Sequence, residues 1–237
     1  MPAPPTIFII CSDRSRNGKT LLARVLTDHL LIQEHDPFCF DLSAPEGALR
    51  AYFPGRTALI DFDQEEGRAK VFNSILARYG RDYVIDVPGA LLAPFCEAAE
   101  ARGFSEAAQA EGFRICVLFV IDRDEGSLKT AVAVEEVLQP DLMVPVANRF
   151  VGTALPKGVP GPVLAMERVD SELHPIVTNR RFSLRGFLLG DDAAVPVRLR
   201  ANLQNFLHGL LGGLRDLEPE LSLRTLREAE LRPAKAV

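Results

Sequence analysis

Residues 12–20, Ser12-Asp13-Arg14-Ser15-Arg16-Asn17-Gly18-Lys19-Thr20, carry the side chains with the clearest chemistry in this chain. A short apolar run, Thr6–Cys11, leads into a polar, basic loop that closes on Gly-Lys-Thr, and Leu21-Leu22-Ala23-Arg24-Val25-Leu26 then begins a helical pattern. Strand, loop and helix in this order form an anion seat. Backbone N–H groups and a helix N-terminus point at phosphate, a lysine reaches the outer phosphates, and a threonine hydroxyl ligates Mg²⁺. The candidate nucleotide-binding set is therefore Asp13, Arg14, Ser15, Arg16, Asn17, Gly18, Lys19, Thr20 and Leu21. Asp13 stands where the full pattern has glycine. Aspartate tolerates left-handed backbone angles better than most residues, and Arg14 or Arg16 can neutralise its charge. The competing reading is that Gly-Lys-Thr merely starts an ordinary helix.

Further polar residues close other apolar runs. Tyr83-Val84-Ile85-Asp86 leads into Val87-Pro88-Gly89. A carboxylate there can hold a water on the Mg²⁺ that Thr20 ligates, so Thr20 and Asp86 are the expected metal residues. Asp, Pro and Gly are also turn residues, and a plain strand-to-loop turn is the alternative. Asp41 ends Pro37–Asp41, and Asn148 and Arg149 follow Leu142–Ala147. The Asn148 amide offers a donor and an acceptor for a purine edge. Arg149 can stack on the base, or the pair can be a turn and a solvated charge. In open parallel sheets, ligands bind outside the carboxyl ends of the strands. The phosphate loop, Asp41, Asp86 and Asn148 all fall at such ends.

The elements that must position them alternate along the chain. Strand patterns cover Thr6–Cys11, Pro37–Asp41, Thr57–Phe62, Tyr83–Asp86, Phe113–Ile121, Leu142–Ala147 and Val163–Met166. Helical periodicity covers about Lys19–Gln33, Ala48–Phe53, Glu65–Tyr79, Leu91–Arg102, the stretch up to Leu138, and an amphipathic 201–216. Leu155–Pro162 reads as a loop and Arg232–Val237 as a frayed tail. This alternation predicts an α/β fold, P-loop NTPase-like, with a mostly parallel sheet and helices on both faces. One nucleotide-binding domain is expected over 1–237, with a helical C-terminal extension from about 201 to 237.

Composition narrows the function classes. The chain of 237 residues is 47% hydrophobic, enough for one well-buried domain. A net charge of −5 argues against a broadly basic nucleic-acid surface. The four cysteines, Cys11, Cys39, Cys96 and Cys116, show no metal-type pairing and suit a reducing cytosol, so a cytoplasmic location is expected. The sequence shows no signal pattern and no run of about 18 apolar residues that would span a membrane. His29, His35, His174 and His208 are too scattered to suggest a metal centre.

On the motifs at Ser12–Thr20, Phe38–Ser43, Tyr83–Gly89 and Leu142–Arg149, the chain resembles the ParA/MinD group of P-loop ATPases, the deviant Walker A class. The resemblance covers roughly residues 5–170. It implies ATP and Mg²⁺ as cofactors, a nucleotide-dependent homodimer, and a switch that positions or regulates DNA, a septum or a protein partner. It places Lys19, Arg14 and Asp41 as candidate catalytic residues. Arg14 occupies the position of the family's signature lysine, which acts across the dimer, and Ser15 and Arg16 replace the glycines beside it. Asp41-Leu42-Ser43 replaces the usual Asp-x-Asp, so Ser43 stands where the family's water-positioning carboxylate would be. A serine cannot orient or deprotonate water as a carboxylate does, and the expectation is slow or absent hydrolysis.

Two other readings compete with such a switch. One is a nucleotide-binding scaffold that signals by occupancy alone. The other is an ATP-dependent small-molecule enzyme of the dethiobiotin-synthetase type, whose loop also ends in Gly-Lys-Thr. Residues 201–216 carry almost no basic residue besides Arg215, which argues against membrane-surface binding. Arg180, Arg181, Arg185, Arg198 and Arg200 form the most basic stretch, either a DNA-phosphate contact or a solvated face.

Overall fold

The computed structural model describes residues 4–77, 80–122, 125–149, 152 and 162–231, with side chains in the last helix described as far as 223. The expected loop Leu155–Pro162, apart from Pro162, and the tail Arg232–Val237 lie outside the described residues.

Seven strands form one sheet: β1 (Thr6–Cys11), β2 (Phe38–Asp41), β3 (Thr57–Leu59), β4 (Tyr83–Asp86), β5 (Arg114–Ile121), β6 (Leu142–Asn148) and β7 (Leu164–Met166). Their order is β3-β2-β4-β1-β5-β6-β7, and every pairing is parallel. Side chains alternate across a strand, and both sets are apolar here, as a sheet covered on both faces requires. Phe8 and Ile10 of β1 join Cys116, Leu118 and Val120 of β5 in one core, while Ile7, Ile9 and Cys11 join Ile115, Val117 and Phe119 in the other.

The first core is capped by α1 (Lys19–Ile32) and the long α8 (Val197–Leu231), with the short α6 (His174–Val177) and α7 (Leu184–Leu188) outside α1. The second is capped by α2 (Glu65–Leu76), α3 (Leu92–Glu100), α4 (Phe104–Ala110) and α5 (Glu125–Leu138). Leu203, Phe206, Leu207, Leu210 and Leu214 of α8 are buried in the first core, so this segment packs as part of the domain. Gly213 permits the fit, because a Cβ there would lie 2.5 Å from Leu164 Cδ1 of β7.

Several element boundaries differ from the sequence expectation. The helix expected over 201–216 begins at Val197 and continues to Leu231, through the breakers Gly209, Gly212, Gly213 and Pro219. Burial of its leucine face outweighs their weak propensity. Ala48–Phe53 is a set of turns rather than a helix. Asp41 fastens those turns by accepting from the Leu49 and Arg50 amides.

Candidate functional site: the phosphate loop and the strand ends around it

The loop after β1 is held by side chains where glycines would otherwise give it shape. Arg16 has φ 57° and Gly18 φ 98°, both left-handed. Gly18 is required twice, since a Cβ would also sit 2.5 Å from the Asn148 amide nitrogen. Asn17 is buried, and its Nδ2 donates to Ser12 Oγ and to the Val120 carbonyl at 3.2 Å. Its own carbonyl accepts from Asn148 Nδ2 at 2.8 Å. Asp13 Oδ1 accepts from Ser127 Oγ at 2.9 Å, which ties the loop to the first turn of α5.

Lys19 begins α1 and is only 8% exposed. Its ammonium donates to the Arg14 carbonyl and, at 3.1 Å, to Asn17 Oδ1. Burial lowers its pKa, against the opposing pull of Asp86, Cys11 and Asp13. The next residue, Thr20, donates from Oγ1 to Asp86 Oδ2 at 2.7 Å. Burial pushes the Asp86 carboxyl up to about 6, with the Thr20 hydrogen bond opposing, Asp41 adding to the rise and Lys19 opposing. Gly89, three residues on, packs against the loop, where a Cβ would come within 2.9 Å of the Arg14 backbone.

Ser15–Leu21, Ser43, Asp86 and Asn148 line one cavity of about 540 Å³ outside the carboxyl ends of the strands. Met166 from β7 and Phe206 from α8 give it an apolar wall. Loop amides, a buried ammonium, and a hydroxyl beside a carboxylate suit a polyphosphate and its cation. An apolar wall suits the base of a nucleotide. The fold is P-loop NTPase-like.

The other sequence-predicted residues fall in different places. Asp41 is fully buried and does not line the cavity. Its Oδ1 accepts from the Ser43 amide at 3.0 Å and from the Ser43 hydroxyl. Its Oδ2 accepts from the Leu49 and Arg50 amides at 2.7 and 2.9 Å. Both oxygens thus close the loop after β2 and present nothing to a substrate. Asn148 reaches the cavity wall while bracing the phosphate loop from β6. Arg149 does not line the cavity and pairs with Glu167, which does, at 3.4 Å. Arg14 is half exposed, with Asp13 at 3.7 Å and Asp122 at 3.6 Å. Of the basic stretch, Arg198 pairs with Glu172 and Arg200 with Asp192, while Arg180 and Arg181 are exposed.

Sequence reasoning missed Ser127, Met166, Phe206 and the buried Arg24. Arg24 donates to the Val177 and Phe182 carbonyls and lies 3.9 Å over the Tyr52 ring, so it pins α6 and its neighbours to the cavity wall. The rule that found Asn148 at a strand end would also have flagged Ser127 after β5. Phe206 gave no such signal, because it is one apolar residue of an amphipathic helix.

The Thr20 hydroxyl and the Asp86 carboxylate, 2.7 Å apart, are hard oxygen donors of the kind that would hold Mg²⁺. No group of three or more His, Cys, Asp or Glu side chains suited to a metal occurs among the described residues. A cation at this pair would therefore complete its shell with phosphate oxygens and water.

No family model and no curated protein matches the sequence. Several solved structures are similar in layout. A nucleotide-binding protein from Archaeoglobus fulgidus in complex with ADP is 13% identical, over 74% of this chain and 86% of that one, with a TM-score of 0.46. The cell division protein MinD from Aquifex aeolicus is 15% identical, over 87% and 97%, with a TM-score of 0.46. A plasmid partition protein from Borrelia burgdorferi is 12% identical, over 88% and 99%, with a TM-score of 0.42. At such scores the likeness is one of general layout, and the functional reading stands on the site itself.

Proposed function

We propose that this chain is an ATP-binding switch of the ParA/MinD kind that binds ATP·Mg²⁺, dimerises on ATP in the cytoplasm and regulates a protein or DNA partner. One observation carries the reading: loop amides, the buried Lys19 ammonium and the Thr20–Asp86 pair share a single cavity. In this reading residues 13–21 hold the phosphates, and Asn148 and Arg149 flank the base. Thr20 and Asp86 hold Mg²⁺, which when bound neutralises charge on the outer phosphates. Arg14 is the side chain with the reach to meet a second copy's nucleotide, once released from Asp13 and Asp122.

Hydrolysis is slow or absent. Asp41 is committed to the loop after β2, and the cavity has Ser43 where a base would be needed. The same observation favours a second reading, a scaffold that signals by nucleotide occupancy alone.

Calorimetry with ATP·Mg²⁺ and ADP·Mg²⁺, with light scattering alongside, tests both. Binding lost in Lys19→Ala, with dimers on ATP only, supports the switch. Lys19-dependent binding without dimers supports the occupancy scaffold. No binding at millimolar ATP refutes both, and rapid Lys19-dependent turnover refutes the loss of hydrolysis.

A further inference from the structure

On the face of the sheet opposite α1, the furrow between α3 and α5 forms a groove of about 350 Å³. Leu92, Cys96, Val134 and Val137 give it an apolar floor, and Glu97 and Glu100 stand along it. At its head stand Asp13 of the phosphate loop and Gly89 from the segment after β4. No lysine or arginine among the described residues lines it. Both glutamates are exposed. The groove's negative field also acts on Cys96, whose thiol is pushed up to about 11 by burial and then by Glu97 and Glu100.

We propose that this groove docks a basic amphipathic helix of a partner protein, laid along α3 and α5 against the back of the phosphate loop. An apolar floor with an acidic wall along α3 and an uncharged one along α5 takes a helix with one apolar face and Lys or Arg on the flank towards Glu97 and Glu100. The nine residues of α3 give a bed about 13 Å long, enough for anchors at i, i+3 or i+4 and i+7. Acidic helices and anionic lipid surfaces are repelled by the same charges. A helix seated there touches Asp13, which Ser127 Oγ holds at 2.9 Å, so the partner meets the residue that fixes the phosphate loop to α5.

Cys96 supplies the test, because Cys11, Cys39 and Cys116 are buried and Cys96 is not. Its labelling by a neutral thiol reagent is followed with a three-turn helical peptide of Leu and Lys, and with a Leu/Glu twin. Labelling is followed across pH for each protein, because thiolate fraction and exposure together set thiol reactivity. The expected result, at matched thiolate fraction, is protection by the Leu/Lys peptide of roughly tenfold or more. The twin should give none, and the exposed double variant Glu97→Lys/Glu100→Lys should abolish protection at an unchanged melting temperature. The proposal is overturned if the Leu/Lys peptide leaves labelling unchanged, if the twin protects equally, or if protection survives in the double variant. It is also overturned if labelling slows with protein concentration alone, which would seat a second copy in the groove. No nucleotide enters the experiment, so its outcome is independent of the ATP reading.

Discussion

Replacing Asp41 separates a structural carboxylate from a catalytic one. Four donors converge on it: the Ser43 amide and hydroxyl, and the Leu49 and Arg50 amides. In Asp41→Ala the Leu49 amide, in a buried hydrogen bond, loses its acceptor, while the other three donors lie nearer water. An orphaned buried donor costs about 1–3 kcal/mol, and bonds to a charged acceptor exceed the neutral average, so a loss of about 3–5 kcal/mol is expected. For a domain of this size that lowers the melting temperature by about 6–20 °C. Asp41→Asn should rescue little, because one side of the amide would present N–H groups to N–H donors. Thermal and urea unfolding measure the loss, and calorimetry well below the transition measures nucleotide binding by the folded fraction. Binding per folded molecule should survive. An Asp41→Ala protein with an unchanged melting temperature, but with nucleotide binding lost, would refute the structural reading and return Asp41 to the ligand site.

Three further outcomes are expected. Gly18→Ala combines a left-handed φ with a 2.5 Å approach to Asn148 Nδ2, so it should lose about 2 kcal/mol or more; Asn148→Ala in the same chain should recover part of this in urea unfolding. Arg16→Gly should be at least as stable as the parent, because release from φ 57° offsets the usual cost of glycine, about 1 kcal/mol; a loss of that size in chemical denaturation would contradict the loop geometry. Acid stability should reflect opposed buried groups. Asp28 and Asp86 have folded pKa values raised to about 6, chiefly by burial, so their stability is fully present below the unfolded value of 3.8 and is lost as pH rises through about 6. His29 is lowered to about 4 by burial, then by Arg215 and His35, so its stability is present above 6.5 and is lost as pH falls towards 4. Removing the opposing group, His29→Asn should steepen the fall in stability from about pH 4 to 6 by about 1.4 kcal/mol per pH unit, read from unfolding free energies against pH; an unchanged slope would place the His29 titration elsewhere.

The sequence by itself determined the layout and the position of Gly-Lys-Thr at the head of α1. Two-sided apolar strands such as Phe113–Ile121 can only be interior, and their alternation with helical periodicity leaves a parallel sheet as the economical arrangement. Strand, Gly-Lys-Thr and helix are contiguous in the chain, so Lys19 and Thr20 were legible from neighbours alone. Only the tertiary structure decided how distant residues use their polar groups. Asp41 and Asp86 look alike in sequence, each a carboxylate ending an apolar run. They stand paired on adjacent strands, yet one meets four donors from its own loop and the other meets Thr20, 66 positions away. Asn148 points at the phosphate loop from 131 positions away, where its amide braces Asn17. The C-terminal helix runs through three glycines and a proline because its leucine face is buried against β7 and α1. Local propensity is a matter of tenths to a few kcal/mol per residue, and long-range burial and hydrogen bonding override it wherever the fold brings distant partners together.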